Sequence, residues 1–224
     1  MTRFLDILLS SLALLVLSPL LLPIALILRF SGEGEVFFCQ QRVGKDGQPF
    51  GLLKFATMLK DSPNLGTGTV TLKHDPRVLP VGRFLRKTKI NELPQLLNIL
   101  KGEMSIIGPR PQTQRCFDAF PPEFQTIIQQ VRPGLSGIGS IVFRAEEDLM
   151  DNAEDADKFY DEVIMPYKGA LEAWYVENAN LWNYLLLIFL TAWVVVFPKS
   201  ELHAKWLKGL PETPEGLEAA SRRG

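Results

Sequence analysis

The chain has 224 residues, of which 46% are hydrophobic, and its formal net charge is -1. This length accommodates one sizeable hydrophobic core, or one core together with a membrane segment. The near-zero charge argues against general nucleic-acid binding, because no excess of cations is spread over the chain, so any basic site must be local. The two cysteines, Cys39 and Cys116, lie far apart without a metal-ligand spacing, which indicates free thiols in a reducing compartment.

The first element is an uncharged, mainly apolar segment at residues 7–28. A straight helix of that length measures roughly 33 Å at 1.5 Å per residue, which is enough to span a bilayer. A cleaved signal peptide is a poor alternative, because the preceding region is weakly charged and no small-residue cleavage pattern follows. Ser18-Pro19 and Pro23 interrupt the backbone hydrogen bonding and predict a kink. A kinked span and a re-entrant hairpin that enters and leaves by one face both fit this pattern.

Two β-prone runs follow at residues 36–43 and 49–55, and an Asp-Gly pair between them predicts a β-hairpin. Residues 59–75 are polar and rich in glycine, which indicates a surface loop that either covers a substrate or is inert. Its GTGT sequence lacks the spacing and the strand-to-helix context of a phosphate-binding loop. His74, at the end of this loop, stands alone and is interpreted as a surface residue.

The central block of the chain is residues 83–112, in which Asn91-Glu92 stands just before an apolar series with helical spacing. The series is Leu93, Leu96, Leu97 and Leu100. It predicts a helix that begins at the polar pair, with Asn91 as its N-cap and Glu92 in its first turn. A second interpretation is a site for a polyanion such as a diphosphate, because cations surround the carboxylate. These cations are Arg83, Arg86, Lys87, Lys89, Lys101 and Arg110.

Beyond the central block, residues 121–131 predict a short helix. A Gly-rich loop then precedes a predicted strand that carries Arg144. Residues 145–162 are acidic and predict a solvated helix with Phe159 and Tyr160 turned inward.

The last apolar segment is residues 181–197, which is at the short limit for a membrane-spanning helix. Trp182, Tyr184 and Trp193 within it favour an interfacial position, and a buried core helix is the alternative. Residues 208–224 are polar with two prolines and predict a frayed tail.

Several motifs of this chain, taken together, resemble the bacterial sugar transferases, which are the monotopic polyprenyl-phosphate phosphoglycosyl transferases. The main one is DPRVLPVGRFLRKTKINELPQLLNILKGEMSIIGPRPQ, at residues 75–112. The Ser-Pro break in the first segment, VFFCQQRVG, KFATM, RPGLSG and WYVEN follow the family order. The resemblance covers nearly the whole chain, up to about residue 200, and corresponds to the catalytic core of the family.

This resemblance implies an α/β fold with a small globular catalytic domain, an N-terminal kinked re-entrant membrane helix and interfacial amphipathic helices. It places the re-entrant helix at residues 1–30, the catalytic domain at 31–200 and a polar tail at 201–224. The helix break falls at Ser18 and Pro19. The implied location is the inner membrane, with the globular part facing the cytoplasm.

The resemblance also implies transfer of a sugar 1-phosphate from a UDP-sugar to polyprenyl phosphate, with Mg2+ and release of UMP, as the initiating step of surface-glycan synthesis. Glu92 and Asn91 are the implied catalytic positions, and Glu92 is the implied metal ligand. Cations are needed because the reaction joins two polyanions. The candidates for phosphate binding are Arg110, Arg144, Arg77, Arg83 and Lys87.

Two positions depart from the family pattern. Asn91 replaces the usual Asp, the nucleophile of the family mechanism, and an amide is a very poor nucleophile. Val142 stands where an Asn is common. Three explanations follow: Glu92 is the nucleophile, the lipid phosphate attacks directly while Glu92 holds Mg2+, or the chain is inactive. A carboxylate from the acidic run just after Arg144 is a further candidate substitute; the run contains Glu146, Glu147 and Asp148.

The alternative function is that of an inactive family member, a membrane protein that binds a nucleotide-sugar or scaffolds a glycan-assembly complex. The sequence is compatible with a homo-oligomer and does not identify the sugar.

Overall fold

The structure of the chain is a computed structural model that describes residues 2–62, 75–144, 156–198, 200–214 and 217. These residues form two compact units. Unit 2 consists of Phe4–Gln41 and the described parts of Gly51–Gly102. Unit 1 consists of Arg42–Phe50 and the described parts of Glu103–Gly224, together with the start of the chain. The predicted boundaries at residues 30 and 200, which separate the membrane helix, the catalytic domain and the tail, stay predictions.

The secondary structure confirms a mixed α/β fold. Its first half contains α1 (Thr2–Arg29), β1 (Phe37–Val43), β2 (Pro49–Phe55), α2 (Pro80–Lys87) and α3 (Gln95–Lys101). The middle contains β3 (Ser105–Ile107), α4 (Gln114–Asp118), α5 (Pro122–Ile128), β4 (Gly134–Ser136) and α6 (Ile138–Val142). The last part contains α7 (Ala156–Phe159), a π-helical turn (Tyr160–Ile164), α8 (Met165–Glu177), α9 (Leu181–Val196) and α10 (Leu202–Trp206).

Helix α1 is one continuous helix that includes Pro19 and Pro23, and it is long and apolar enough to cross a membrane. Pro19 has no N–H to donate to the carbonyl of Leu15, four residues earlier. The Ser18 hydroxyl donates to that carbonyl instead, over 2.8 Å. The serine therefore supplies the hydrogen bond that the proline removes. The predicted kink is not confirmed, and the re-entrant path stays a prediction.

Strands β1 and β2 form the predicted hairpin. The connection between them is a 3-10 turn at Lys45–Gly47, in which Asp46 (φ 56°) and Gly47 (φ 72°) have left-handed backbone conformations. Asp and Gly tolerate such conformations better than most residues, which explains why the Asp-Gly pair located the turn correctly.

The core of unit 2 joins the end of α1 to β2 and α2 through Ile24, Leu28, Phe55 and Leu85. Helix α3 is tied to β2 by Asn98, whose Oδ1 accepts from the Leu53 N–H at 3.0 Å. Its Nδ2 donates to the Gly51 carbonyl at 2.7 Å. This side chain is fully buried and uses both ends of its amide on the strand.

Two details of the helix prediction at Asn91-Glu92 were wrong. Asn91 and Glu92 lie in a 3-10 turn (Ile90–Glu92), and α3 begins only after Pro94. A proline has no N–H and is most easily placed where a helix starts, so the helix begins there instead of at the polar pair. The predicted apolar face is also rotated, because Leu97 is exposed whereas Asn98 and Ile99 are fully buried.

In unit 1, β3 and β4 pair in parallel, with Ser105 opposite Gly134 and Ile107 opposite Ser136. Helix α5, at Pro122–Ile128, confirms the predicted short helix. A core of Val43, Phe117, Phe120, Ile128 and Met165 packs the hairpin end against α4, α5 and α8. The paired strands and α8 form the framework that holds the loops described below.

The strand predicted to carry Arg144 is not present. The segment after β4 forms the short helix α6, and Arg144 follows it in a turn. The β-branched run Ile141-Val142 favoured a strand by local preference. Close packing decided otherwise: a Cβ at Gly137 would lie 2.2 Å from the Gly108 carbonyl oxygen, so the chain meets another backbone there and turns.

Helix α9 has one buried and one exposed apolar side. Tyr184, Leu187 and Leu190 are buried, whereas Phe189 and Trp182 are exposed. On the exposed side Phe189 stacks on Trp206 of α10, with ring centroids 5.5 Å apart and an interplanar angle of 11°. The Trp193 ring lies 6.0 Å from Phe189 and 4.4 Å from Phe197. We call Phe189, Trp193, Phe197 and Trp206 the aromatic surface.

Several predictions fall wholly or mostly on residues outside the described part of the chain. These are the surface position of His74, most of the 59–75 loop, the acidic run with Glu146, Glu147 and Asp148, and most of the tail. Phe159 and Tyr160, by contrast, are described and half-buried.

Candidate active site

Unit 2 positions Asn91 and Glu92 on a tight turn. The turn is preceded by Lys89, which has a left-handed backbone conformation (φ 60°), and it is followed by Leu93 and Pro94 at the start of α3. Asn91 is 6% exposed, and within the described part of the chain its Oδ1 has no hydrogen-bond partner. Burying a carbonyl oxygen without a hydrogen-bond donor costs free energy. This atom is therefore suited to accept a hydrogen bond from a ligand or to coordinate a cation.

Glu92 faces a cation from the neighbouring strand. The Lys54 Nζ lies 3.9 Å from Glu92 Oε1, and the two side chains are 20% and 14% exposed. This partial shielding from solvent strengthens their attraction relative to a surface pair. Lys54 is a site residue that the sequence prediction missed, although it belongs to the KFATM motif that carried part of the family resemblance.

Arg83 and Lys87 lie four residues apart on α2 and are exposed. They therefore share one solvent-facing side of the helix. The helix is pressed onto the segment after β2, because a Cβ at Gly82 would lie 2.2 Å from the Thr57 carbonyl oxygen. Both cations are thus available to a polyanion and are carried by a helix with a fixed position in unit 2.

Arg77 has a different environment. Its side chain is 6% exposed and its Nε donates to Asp75 Oδ1 at 2.8 Å. Its Nη1 donates to the Ser62 carbonyl at 2.7 Å. Because these donors are used within unit 2, Arg77 is the least suited of the five predicted cations to bind a phosphate. Its present contacts brace the segment that leads into α2.

The other two predicted arginines belong to unit 1. Arg110 lies in the GPRP turn (Gly108-Pro109-Arg110-Pro111), directly after β3, and is half-buried. Two prolines flank it and restrict the backbone. Arg144 is half-buried in the turn after α6. Parallel pairing of β3 and β4 puts the GPRP turn and the Gly137 end of β4 at the same edge.

A buried carboxylate in unit 1 was missed by the sequence analysis. Glu172 on α8 is 1% exposed, and its Oε1 accepts from the Arg110 backbone N–H at 3.1 Å. Burial raises the pKa of Glu172 to about 7, against the opposing effects of the Arg110 N–H, the Lys168 and Arg110 charges and the Gly139 N–H. The only signal in the sequence was its position two residues before the WYVEN motif.

Unit 2 offers two side-chain oxygen ligands of the kind that Mg2+ prefers. Glu92 supplies one carboxylate, and Asn91 supplies the unpartnered carbonyl oxygen beside it. Mg2+ commonly uses one or two carboxylates together with substrate phosphates and water. Among the described residues no group of three His, Cys, Asp or Glu side chains forms a ready-made metal cage. The donor set therefore fits an ion that is shared with a diphosphate.

These features define the class of protein: a mixed α/β protein with a long apolar N-terminal helix and a carboxylate, Glu92, that is paired with Lys54. The family described as bacterial sugar transferase matches residues 1–198. The chain belongs to this family.

Relatives with assigned names agree with this membership. The chain is 35% identical over 203 residues to the exopolysaccharide production protein ExoY of Rhizobium meliloti, covering 84% of this chain and 82% of ExoY. It is 36% identical to the UDP-glucose:undecaprenyl-phosphate glucose-1-phosphate transferase of Escherichia coli, covering 83% of this chain and 38% of that protein. It is also 36% identical to an Aeromonas hydrophila protein, the UDP-N-acetylgalactosamine-undecaprenyl-phosphate N-acetylgalactosaminephosphotransferase, covering 84% of this chain and 42% of that protein.

Proposed function

We propose that this protein transfers a sugar 1-phosphate from a UDP-sugar to undecaprenyl phosphate, releasing UMP, as the initiating membrane step of a bacterial surface glycan. The observation that carries the proposal is the family match over residues 1–198, which includes the Glu92 turn and the GPRP turn. The names of the relatives support it, because several are transferases that act on undecaprenyl phosphate.

The reaction that suits Asn91 is a single displacement. An oxygen of the lipid phosphate attacks the phosphorus of the sugar 1-phosphate, and the bond from that phosphorus to the bridging oxygen of the diphosphate breaks. UMP leaves with the electron pair. A phosphate monoester is largely dianionic near neutral pH, because its second pKa is about 6, so the attack needs no protein base. The absence of an Asp at position 91 is compatible with this route.

The protein residues neutralise and orient the phosphates. Glu92 would hold Mg2+, with the Asn91 carbonyl beside it, and the bound ion would offset the negative charge of the diphosphate. Lys54 keeps the Glu92 carboxylate in place through its ion pair. Arg83, Lys87, Arg110 and Arg144 are the candidates to bind phosphate oxygens.

An assay of UMP release tests the function. Purified protein in membranes is incubated with undecaprenyl phosphate, Mg2+ and, in turn, UDP-glucose, UDP-galactose and UDP-N-acetylgalactosamine. We expect UMP and a lipid-linked diphosphate sugar with at least one donor, and neither product when Mg2+ is chelated. If no donor yields UMP, the protein is an inactive family member, and binding of the same UDP-sugars then tests a scaffolding role. Asn91 is the observation that favours this second candidate.

The proposed membrane arrangement is a re-entrant α1 that returns to the cytoplasmic face of the inner membrane. The Ser18 hydroxyl supports it, because it compensates for the missing donor of Pro19 where the helix would bend within lipid. The aromatic surface supports an interfacial position for α9 and α10, since Trp side chains favour the headgroup region. The Lys205 and Lys208 cations nearby in the sequence would favour anionic lipids.

Both chain ends are predicted to lie on the same, cytoplasmic, side of the membrane. Single cysteines introduced at Thr2 and near the C-terminus are labelled in intact cells with a membrane-impermeant maleimide, in a background without Cys39 and Cys116. We expect neither position to react until the inner membrane is opened, because both ends face the cytoplasm. A periplasmic protein with a known accessible cysteine is the positive control. Labelling of the Thr2 position in intact cells would mean that α1 crosses the membrane.

A further inference from the structure

Glu172 connects two loops of unit 1 that lead to predicted phosphate-binding arginines. Its Oε1 accepts from the Arg110 N–H in the GPRP turn, and the carboxylate also accepts from the Gly139 N–H in α6. Arg144 follows the same short helix. One carboxylate on α8 therefore fixes the backbone of both segments.

The packing around this carboxylate leaves no space for a side chain. A Cβ at Gly139 would lie 2.4 Å from Glu172 Oε1. The two loops also touch one another, since a Cβ at Gly137, just before α6, would lie 2.2 Å from the Gly108 carbonyl oxygen. Close backbone approach of this kind gives the GPRP turn few alternative positions once the carboxylate is in place.

The polar environment of Glu172 is poor for a structural residue. Within the described part of the chain its Oε2 has no hydrogen-bond partner, although the atom is buried. Lys168, one helical turn earlier on α8, is 3% exposed, and its Nζ lies 5.4 Å from the centre of the Phe143 ring. Burying a carboxylate that lacks a full set of donors lowers stability, and an apolar side chain would often serve packing better. The contacts of the carboxylate with the two loops, and not its packing, distinguish it from an apolar side chain at this position.

We propose that Glu172 is a positioning residue of the transfer reaction: it orients the Arg110 and Arg144 guanidinium groups by holding the GPRP turn and the start of α6. The proposal deepens the proposed function and rests on it. Glu172 has no contact with substrate in this scheme, and its effect on the rate passes through the arginines.

A double-mutant cycle on kcat/KM for UMP release tests the proposal. Glu172→Ala is expected to lower kcat/KM by about 30-fold, because a misplacement of roughly 1 Å in a catalytic group has an effect of that order. Arg110→Ala is expected to cost about 100-fold. The double variant should lose clearly less than the product of the two effects, since part of the Glu172 effect passes through Arg110 and the rest through Arg144. Multiplicative effects would overturn the proposal.

Two further variants keep the test informative if Glu172→Ala does not fold. Glu172→Gln retains a carbonyl oxygen for the two N–H donors and is expected to restore most of the activity lost in the alanine variant. Gly139→Ala displaces the carboxylate from the opposite side and is expected to reduce kcat/KM by about tenfold or more, with a smaller loss in the Arg110→Ala background. Glu123→Gln, on the exposed side of α5, is the matched control. If Glu172→Gln is as inactive as Glu172→Ala, the hydrogen bonds that Glu172 accepts do not explain its effect on the rate, and the proposal is wrong.

The assay separates this proposal from the proposed function. An inactive wild-type protein contradicts the function, whereas an active wild type with multiplicative losses contradicts only the role of Glu172.

Thermal unfolding gives an activity-independent check. The pKa of Glu172 is raised to about 7 in the fold. Its contribution to the free energy of unfolding is therefore most favourable below the pKa of the unfolded chain, and it is lost as the pH rises through 7. The Tm of Glu172→Gln relative to wild type should therefore increase between pH 5 and pH 8. A constant difference would mean that the Glu172 side chain is not desolvated, which contradicts the buried contact with the Arg110 N–H on which the proposal depends.

Discussion

Replacing Glu92 by Gln is expected to lower the rate of UMP release by on the order of 100-fold or more, a loss typical of removing one strong electrostatic contact to the transition state. The amide has nearly the same shape but no charge, so it binds Mg2+ poorly and removes the charge attraction to Lys54, whose Nζ lies 3.9 Å from the carboxylate. The measurement is the initial rate of UMP release with saturating UDP-sugar and undecaprenyl phosphate across a series of Mg2+ concentrations.

The control for this variant is Glu123→Gln, which removes one exposed carboxylate from unit 1 and should leave the rate unchanged within about twofold, as is usual for surface changes. Part of the lost rate in Glu92→Gln should return at high Mg2+ if the carboxylate acts mainly as a metal ligand. An unchanged rate at every Mg2+ concentration would remove Glu92 from the active site.

Replacing Asn91 by Asp is expected to change the course of the reaction. A carboxylate at this position can attack phosphorus, whereas the amide cannot, so the variant should form a covalent phospho-sugar intermediate on Asp. With UDP-sugar and Mg2+ but no lipid phosphate, the variant should release up to one UMP per protein molecule. The wild type should release none, because a single displacement requires the acceptor. Intact-protein mass spectrometry should detect the adduct in the variant alone.

Asn91→Ala, which introduces no nucleophile, is the matched control and should show neither the burst nor the adduct. Burial of position 91 disfavours the charged carboxylate, so the burst in Asn91→Asp should become faster as the pH rises. A burst in the wild-type protein would contradict the single displacement and would indicate that another residue, with Glu92 as the first candidate, forms the covalent intermediate.

The same assay separates an inactive family member from an active variant. If the wild type makes no lipid-linked product with any donor but Asn91→Asp does, the rest of the site is intact and only the nucleophile is missing. If both proteins make the product, the amide at position 91 belongs to a working mechanism. The two results lead to different biological roles for an otherwise similar family member.

Local sequence patterns predicted the elements whose physics is local. The Asp-Gly turn of the hairpin follows from the backbone freedom of those two residues, and α5 follows from its own composition. The long apolar helix α1 follows from hydropathy alone. The prediction of a strand before Arg144 failed because contacts between distant segments decided the structure there. Gly137 packs against the Gly108 carbonyl, and the residues that follow it form α6.

The candidate site shows the same division. The motifs placed Glu92, Arg110 and Arg83 among the candidates, because charge and spacing are visible in the sequence. The pairing of Arg77 with Asp75 and the partner of Glu92 on β2 could not be assigned in this way. A side chain two residues away and one on a neighbouring strand are equally plausible partners until the backbone path is known.

The sequence alone determined the family, the apolar segment, the set of cations and the amide at position 91, since each is a matter of residue type and order. The tertiary structure decided which of these groups are available. It buried Arg77 against Asp75, left Arg83 and Lys87 exposed, and placed Glu172 under the Arg110 backbone. The physical reason is that burial and hydrogen-bond partners depend on contacts between segments distant in the chain, which residue order does not specify.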